Sequence, residues 1–196
     1  MTLLELLEAS DAPVITDLIA ATSAQPAVGK FDNRPTWDNA NAAPAFDLGS
    51  MQWSDSKLSR VVFRDCKLMG ATLTGLTLDN VLFEGCKLDF AAFTRIRASG
   101  PTVFSKCTLT EATFAGCDLN RAVLDDCTLR RTEFEHGSYR ELDLRGNDLS
   151  ELRGAGNLAK VIIDRGQEAE LARALVTELE AVFGDDLDDP ASARRR

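Results

Sequence analysis

The sequence predicts an all-β solenoid, a chain wound into coils of very short parallel strands, and three observations predict it. Leu or Phe recurs at every fifth position. A smaller residue stands two places before most of these centres. The resulting inward steps of two and three residues match neither the 3.6-residue period of a helix nor the strict alternation of a long strand.

The centres run Leu58, Phe63, Leu68, Leu73, Leu78, Phe83, Leu88 and Phe93, and after a slip around Ser99-Gly100-Pro101 resume as Phe104, Leu109, Phe114, Leu119, Leu124, Leu129, Phe134, Tyr139, Leu144 and Leu149, with Trp53 as a further candidate. The small column contains Cys66, Ala71, Cys86, Ala91, Thr102, Cys107, Ala112, Cys117, Ala122, Cys127 and Thr132. A step of two spans a strand and a step of three turns a corner. Stacked coils then place equivalent side chains in ladders at about 4.8 Å. All five cysteines fall in the small column, an odd number with no C-x-x-C pair, so they read as small apolar packing units and not as a disulfide or zinc framework.

These units resemble the pentapeptide-repeat family, whose pattern is A-(D/N)-L-x-x. Cys117-Asp118-Leu119-Asn120-Arg121 and Ala71-Thr72-Leu73-Thr74-Gly75 carry the resemblance, which covers about residues 51–153. It implies a right-handed quadrilateral β-helix of about five coils, and repeats twenty residues apart, such as Phe63/Phe83 and Cys107/Cys127, agree with four sides.

The expected organisation has four parts. Residues 1–50 form an N-terminal helical and extended segment: Met1 to Ala9 and Ala12 to Ala21 look helical, and Gln25 to Ser50, with Pro26, Pro35 and Pro44, reads as an extended connector. Residues 51–153 form the β-helix. Residues 154–184 supply a short strand, Val161-Ile162-Ile163, then a capping helix opened by Asp164 with Gln167 three places on. Residues 185–196 read as a disordered tail.

Two apolar features lie outside the interior pattern. The helix presents Leu171, Leu175, Leu179 and Val182 along one face. In the mycobacterial and Qnr-type quinolone-resistance members that the chain resembles, a similar helix forms the dimer interface. A homodimer is therefore implied, the alternative being that the stripe plugs its own coil. On one side of the coil Val62, Leu82, Val103 and Val123 stack into an outward column, and such columns rarely stay bare. The N-terminal segment packing on the coil, or a partner, would cover it.

Charge narrows the function. The net charge of -9 over 196 residues disfavours binding to nucleic acid. Residues 51–110 carry five acids against eight bases, whereas 111–149 carry nine against five. Asp118, Asp125, Asp126, Glu133, Glu135, Glu141, Asp143 and Asp148 make up most of that acidic half. The resemblance implies that such a surface substitutes for DNA phosphates on a type II topoisomerase, DNA gyrase or topoisomerase IV, protecting it from quinolones or other poisons. The rival reading is an interaction scaffold that binds another cytoplasmic protein through the outer faces.

Catalysis is not expected. His136 is the single histidine, no phosphate loop or hydrolase elbow is present, and Asp185-Asp186-Leu187-Asp188-Asp189 lacks the glycine and distal glutamate of a calcium loop. No cofactor or metal is implied. No apolar run approaches the roughly 20 residues of a membrane span, and a cytoplasmic location is expected.

Overall fold

In the computed structural model, which describes residues 49–183, the five-residue units wind into a four-sided parallel coil. Strands β1 (Gln52–Ser54), β3 (Thr72–Thr74), β5 (Ala92–Thr94), β8 (Thr113–Ala115) and β10 (Glu133–Glu135) stack as one sheet, all parallel. Its register runs Trp53, Leu73, Phe93, Phe114, Phe134. Strands β2 (Lys57–Arg64), β4 (Thr77–Glu84), β7 (Thr102–Ser105) and β9 (Val123–Asp125) form the second sheet, with β6 (Arg97–Ala98) paired to β4. The remaining side is held by single bridges from Lys67 to Lys87 to Thr108 to Thr128.

Corners explain why the period is five. Nearly every unit ends on a residue with left-handed backbone, for example Asp65 (φ 54°), Arg121 (φ 61°) and Asp126 (φ 50°). A left-handed residue costs about 1–2 kcal/mol when it bears a side chain. The corners therefore depend on the ladders for stability, and their side chains project into solvent.

The interior is a set of side-chain ladders. Every centre named above is buried. Phe63, Phe83 and Phe104 stack face to face with centroids 4.7 Å apart, and Phe93, Phe114 and Phe134 form a second stack at 4.5 and 5.2 Å. The stacks meet edge to face, with Phe104 5.9 Å from Phe93 and 6.1 Å from Phe114. The edge-to-face contacts are favoured by the ring quadrupole, and the stacking follows from the spacing of the coils. The cysteines are buried and free. Cys86, Cys107 and Cys127 each donate an S–H to a carbonyl of the preceding coil, at Phe63, Phe83 and Phe104 respectively.

The slip in the repeat is one extra residue. Ala98 pairs with Leu78 and so occupies the centre position, with Ile96 buried two places before it. Across the next step the register changes from twenty to twenty-one, as Val81 pairs with Thr102 and Ala92 with Thr113. Gly100 lies in the bulge, close against the Asp79 carboxylate.

Pairing continues beyond residue 153, where Arg153 bridges Glu133 and Ile162 bridges Asp143. Val161-Ile162-Ile163 thus contributes one bridge, not a strand. The coil is then roofed. Gln167 donates from Nε2 to the carbonyls of Leu144 and Asn147, at 2.9 and 2.6 Å, while its Oε1 accepts the Asp164 N–H at 2.7 Å. A short 3-10 turn, Arg165–Gln167, leads into helix α1 (Glu168–Glu178). Ala174 of α1 is buried, and Leu171 and Leu175 pack against the core.

Candidate partner-binding surface

The outer faces carry the residues available to a partner, and alternation along each strand decides which ones these are. The eight acids do not form a single strip. Glu133 and Glu135 flank Phe134 on the first sheet, Asp125 and Asp143 lie on the β2 side, Asp118 is on the side between them, and Asp148 is on the side of single bridges. Asp126 and Glu141 are corner residues. None of the eight is buried. The set encircles the C-terminal half of the coil.

Their charges are not equally free. Glu141 pairs with Arg121 at 3.0 Å, and Asp143 with Arg145 at 2.6 Å. The hydrogen bond from Arg145 holds the Asp143 carboxyl below the usual carboxylate range. Asp148 is lowered as well, chiefly by its hydrogen bond with Ser150. Asp125 accepts a hydrogen bond from Ser105 at 3.2 Å.

The apolar stripe of the helix is divided. Leu171 and Leu175 face the molecule's own coil, whereas Leu179 and Val182 are 74% and 64% exposed. The reading of four residues on one helical face is corrected here: α1 ends at Glu178, so Leu179 caps it and Val182 lies beyond. Phe183, next to Val182, is exposed, and so is Ile162 where it bridges Asp143. The outer column on the β2 side is also altered, since Val62, Leu82 and Val103 are buried and Val123 is half-buried.

Chemistry finds little purchase on the described surface. Beside the inserted residue a groove of about 710 Å³ is lined by Gly100, Pro101, Asn120, Arg121 and Glu141. Several of its polar groups are engaged within the coil: Asn120 accepts from Ser138 and from the Arg140 N–H, and Arg121 holds Glu141. His136 is an exposed corner residue, with Glu133, Glu135 and Glu178 lining the same shallow groove. Burial pushes the Cys117 thiol up to about 11, the opposite of what a nucleophile needs. Among the described residues no cluster of His, Cys, Asp and Glu converges as a metal site, and no helix is long and apolar enough to cross a membrane. The Asp185–Asp189 run, the tail and the N-terminal helices lie outside the described residues.

Sequence reasoning passed over two residues that shape this surface. Gly137 takes a small-column position without a side chain because Tyr139 folds into that space: a Cβ would lie 2.5 Å from the ring. The Tyr139 hydroxyl donates to the Phe114 carbonyl at 2.8 Å. Asn147 holds the Cys127 N–H and the Leu124 and Leu144 carbonyls. A break in the small column, Gly at 137 and Asn at 147, was the available signal.

The architecture defines a parallel β-solenoid of five-residue units with four sides. The pentapeptide-repeat family model matches residues 54–85 and 102–138 in eight copies, and the coil is a pentapeptide-repeat solenoid. The gap between the matched segments contains the inserted residue. No curated protein matches the sequence. Among solved structures the chain is similar to full-length QnrB1, a plasmid-mediated fluoroquinolone resistance protein, with a TM-score of 0.33 and 15% identity over 67% of this chain and 97% of that one. It is also similar to HetL, a pentapeptide-repeat protein involved in heterocyst differentiation regulation from the cyanobacterium Nostoc sp. strain PCC 7120, with a TM-score of 0.27 and 20% identity over 59% of this chain and 46% of that one. A third is Rfr23 from the cyanobacterium Cyanothece 51142, at 0.20 and 19% over 56% and 60%.

Proposed function

We propose that the chain is a non-catalytic DNA mimic that binds a type II topoisomerase, DNA gyrase or topoisomerase IV, and modulates it or protects it from quinolones or other gyrase poisons. Linear charge density is the observation that supports this reading. Residues 111–149 carry nine acids against five bases, a net of -4. At 20 residues per coil this stretch rises about 10 Å, or about one net negative charge per 2.5 Å, against about one per 1.7 Å in duplex DNA. Residues 51–110, with five acids against eight bases, have the wrong sign. The mimic surface is therefore the C-terminal half alone.

Dimerisation would double its length. Leu179, Val182 and Phe183, which follow α1 above the acidic coils, are exposed apolar residues, and a two-fold contact there sets two acidic halves back to back. The basic groove of a topoisomerase then meets a continuous negative rod, with complementary fields steering the encounter. The protein acts in the cytoplasm in this reading.

The test is a supercoiling assay with purified gyrase, with and without a quinolone. Inhibition of supercoiling, or protection from drug-induced cleavage, is expected. Replacing Asp118, Asp125, Asp126 and Asp148 together with Asn should weaken either effect at least tenfold. Neither inhibition nor protection by the wild-type protein removes the proposal.

A second reading, an interaction scaffold for another cytoplasmic protein, draws on the opposite end. Met69 and Phe90 are 42% and 56% exposed on the basic half, a composition unlike a DNA mimic. Affinity capture with the intact protein separates the two, according to whether topoisomerase subunits or another protein is recovered.

A further inference from the structure

Three side chains that point away from the coil interior are nevertheless buried. Alternation along β4 sends Val81 and Phe83 inward and Leu82 outward. Val62 and Val103 pair with Leu82 in register and share its direction. None of the three belongs to the interior cluster. Yet they are only 5%, 0% and 2% exposed, in the order Val62, Leu82, Val103. Ser105, also outward on this side, is 1% exposed.

Side chains stacked about 4.8 Å apart shield each other's flanks but not their outer ends. Something must therefore lie across them. Among the described elements, those in substantial contact with β2, β4 and β7 are strands of the same sheet. The cover has a limit, too. Val123 is half-buried, and the next residue of the column is the charged Asp143.

We propose that residues 1–48 of the same chain are that cover, with the 25–48 stretch laid over Val62, Leu82 and Val103. Forty-eight residues precede Gly49, where the described chain begins at the first coil. Crossing three coils is a path of about 10 Å, which three or four extended residues span. The stretch contains Val28, Phe31, Trp37 and Phe46 to meet an apolar strip. Pro26, Pro35 and Pro44 favour an extended backbone with few free N–H groups. Tethering makes the contact intramolecular, so it outcompetes a dilute partner at modest intrinsic affinity. This side of the coil is then closed to other proteins, whichever function the remaining sides serve.

The experiment uses the full-length protein with p-benzoylphenylalanine in place of Phe31 or Trp37, so that the coil sequence is untouched. After irradiation, an equal mixture of isotope-labelled and unlabelled chains is digested and the cross-links mapped. Expected are cross-links within one chain to peptides containing Val62, Leu82 or Val103. Cross-links between labelled and unlabelled chains, or none to this strip from either position, overturn the proposal. As a second readout, Leu82→Asp in the full chain should speed tryptic cleavage after Lys30 at least tenfold. An unchanged rate in a folded variant overturns it equally.

Discussion

The two halves of the coil share one interior and differ in everything outside it. Both fill their centres with Leu and Phe, and one phenylalanine stack, Phe93, Phe114 and Phe134, runs from the first half into the second. In the first half β2 and β4 run eight residues each, turn a corner without breaking, and carry the buried outer column. In the second half the strands shrink to three residues, and the outside bears nine acids against five bases. The ladder of Lys67 and Lys87 loses its charge along one side, since their bridges continue to Thr108 at the end of the first half and to Thr128 in the second. The interior therefore specifies the coil but places no demand on its surface. Two adjacent lengths of one solenoid are free to take on different tasks.

Breaking the shared interior should abolish that contrast altogether. Phe104 sits where the halves join, stacked on Phe83 and edge-on to Phe93 and Phe114. Phe104→Ala should cost about 3–5 kcal/mol, since it deletes a fully buried ring that ends one stack and abuts the other edge-on. Because a solenoid is stabilised by contacts between neighbouring coils, both halves should lose protection together in hydrogen exchange. Protection retained in one half alone would mean that the halves fold independently.

A smaller effect tests the upper boundary. Gln167 serves three backbone groups at the end of the acidic half. Gln167→Ala leaves the Leu144 and Asn147 carbonyls without that donor and should cost about 1–3 kcal/mol. Exchange should accelerate first around residues 144–149 and leave β2 and β4 unchanged. Uniform acceleration would show that the roof stabilises the whole coil.

How much of this contrast could be read from the sequence depends on which side of the backbone a residue faces. Inward positions repeat, so the coil was legible from Leu58 to Leu149, and the cysteine column with it. Ala98 was not, because a centre reduced to Ala carries no apolar signal, and its role emerges only from pairing with Leu78. Outward positions obey no period. The acids could be counted along the chain, but their distribution around it depends on the extra residue near Gly100 and on the sides reached after it. The helical stripe showed that Leu171 and Leu175 needed a partner surface, and periodicity cannot distinguish the chain's own last coil from a second copy. Val62, Leu82 and Val103 were recognisable as apolar and outward, whereas their burial became visible only in three dimensions.

The smallest effect separates acids that count as charge from those already neutralised within the acidic half. The Asp143 carboxyl is held low by the hydrogen bond and charge of Arg145. A carboxyl with a lowered folded pKa stabilises the fold at pH values above its unfolded value, about 3.9, and loses that contribution as pH falls through the folded value. Asp143→Asn should therefore cost only about 0.2–1 kcal/mol at pH 7, as for other solvent-accessible pairs. The gap between variant and wild type in thermal melts should narrow as pH falls below the ordinary carboxylate value of about 3.9. In the topoisomerase assay the same substitution should weaken inhibition less than Asp126→Asn, because Arg145 already cancels the charge of Asp143. An equal or larger loss for Asp143→Asn would mean that the partner displaces Arg145 and reads the carboxylate directly.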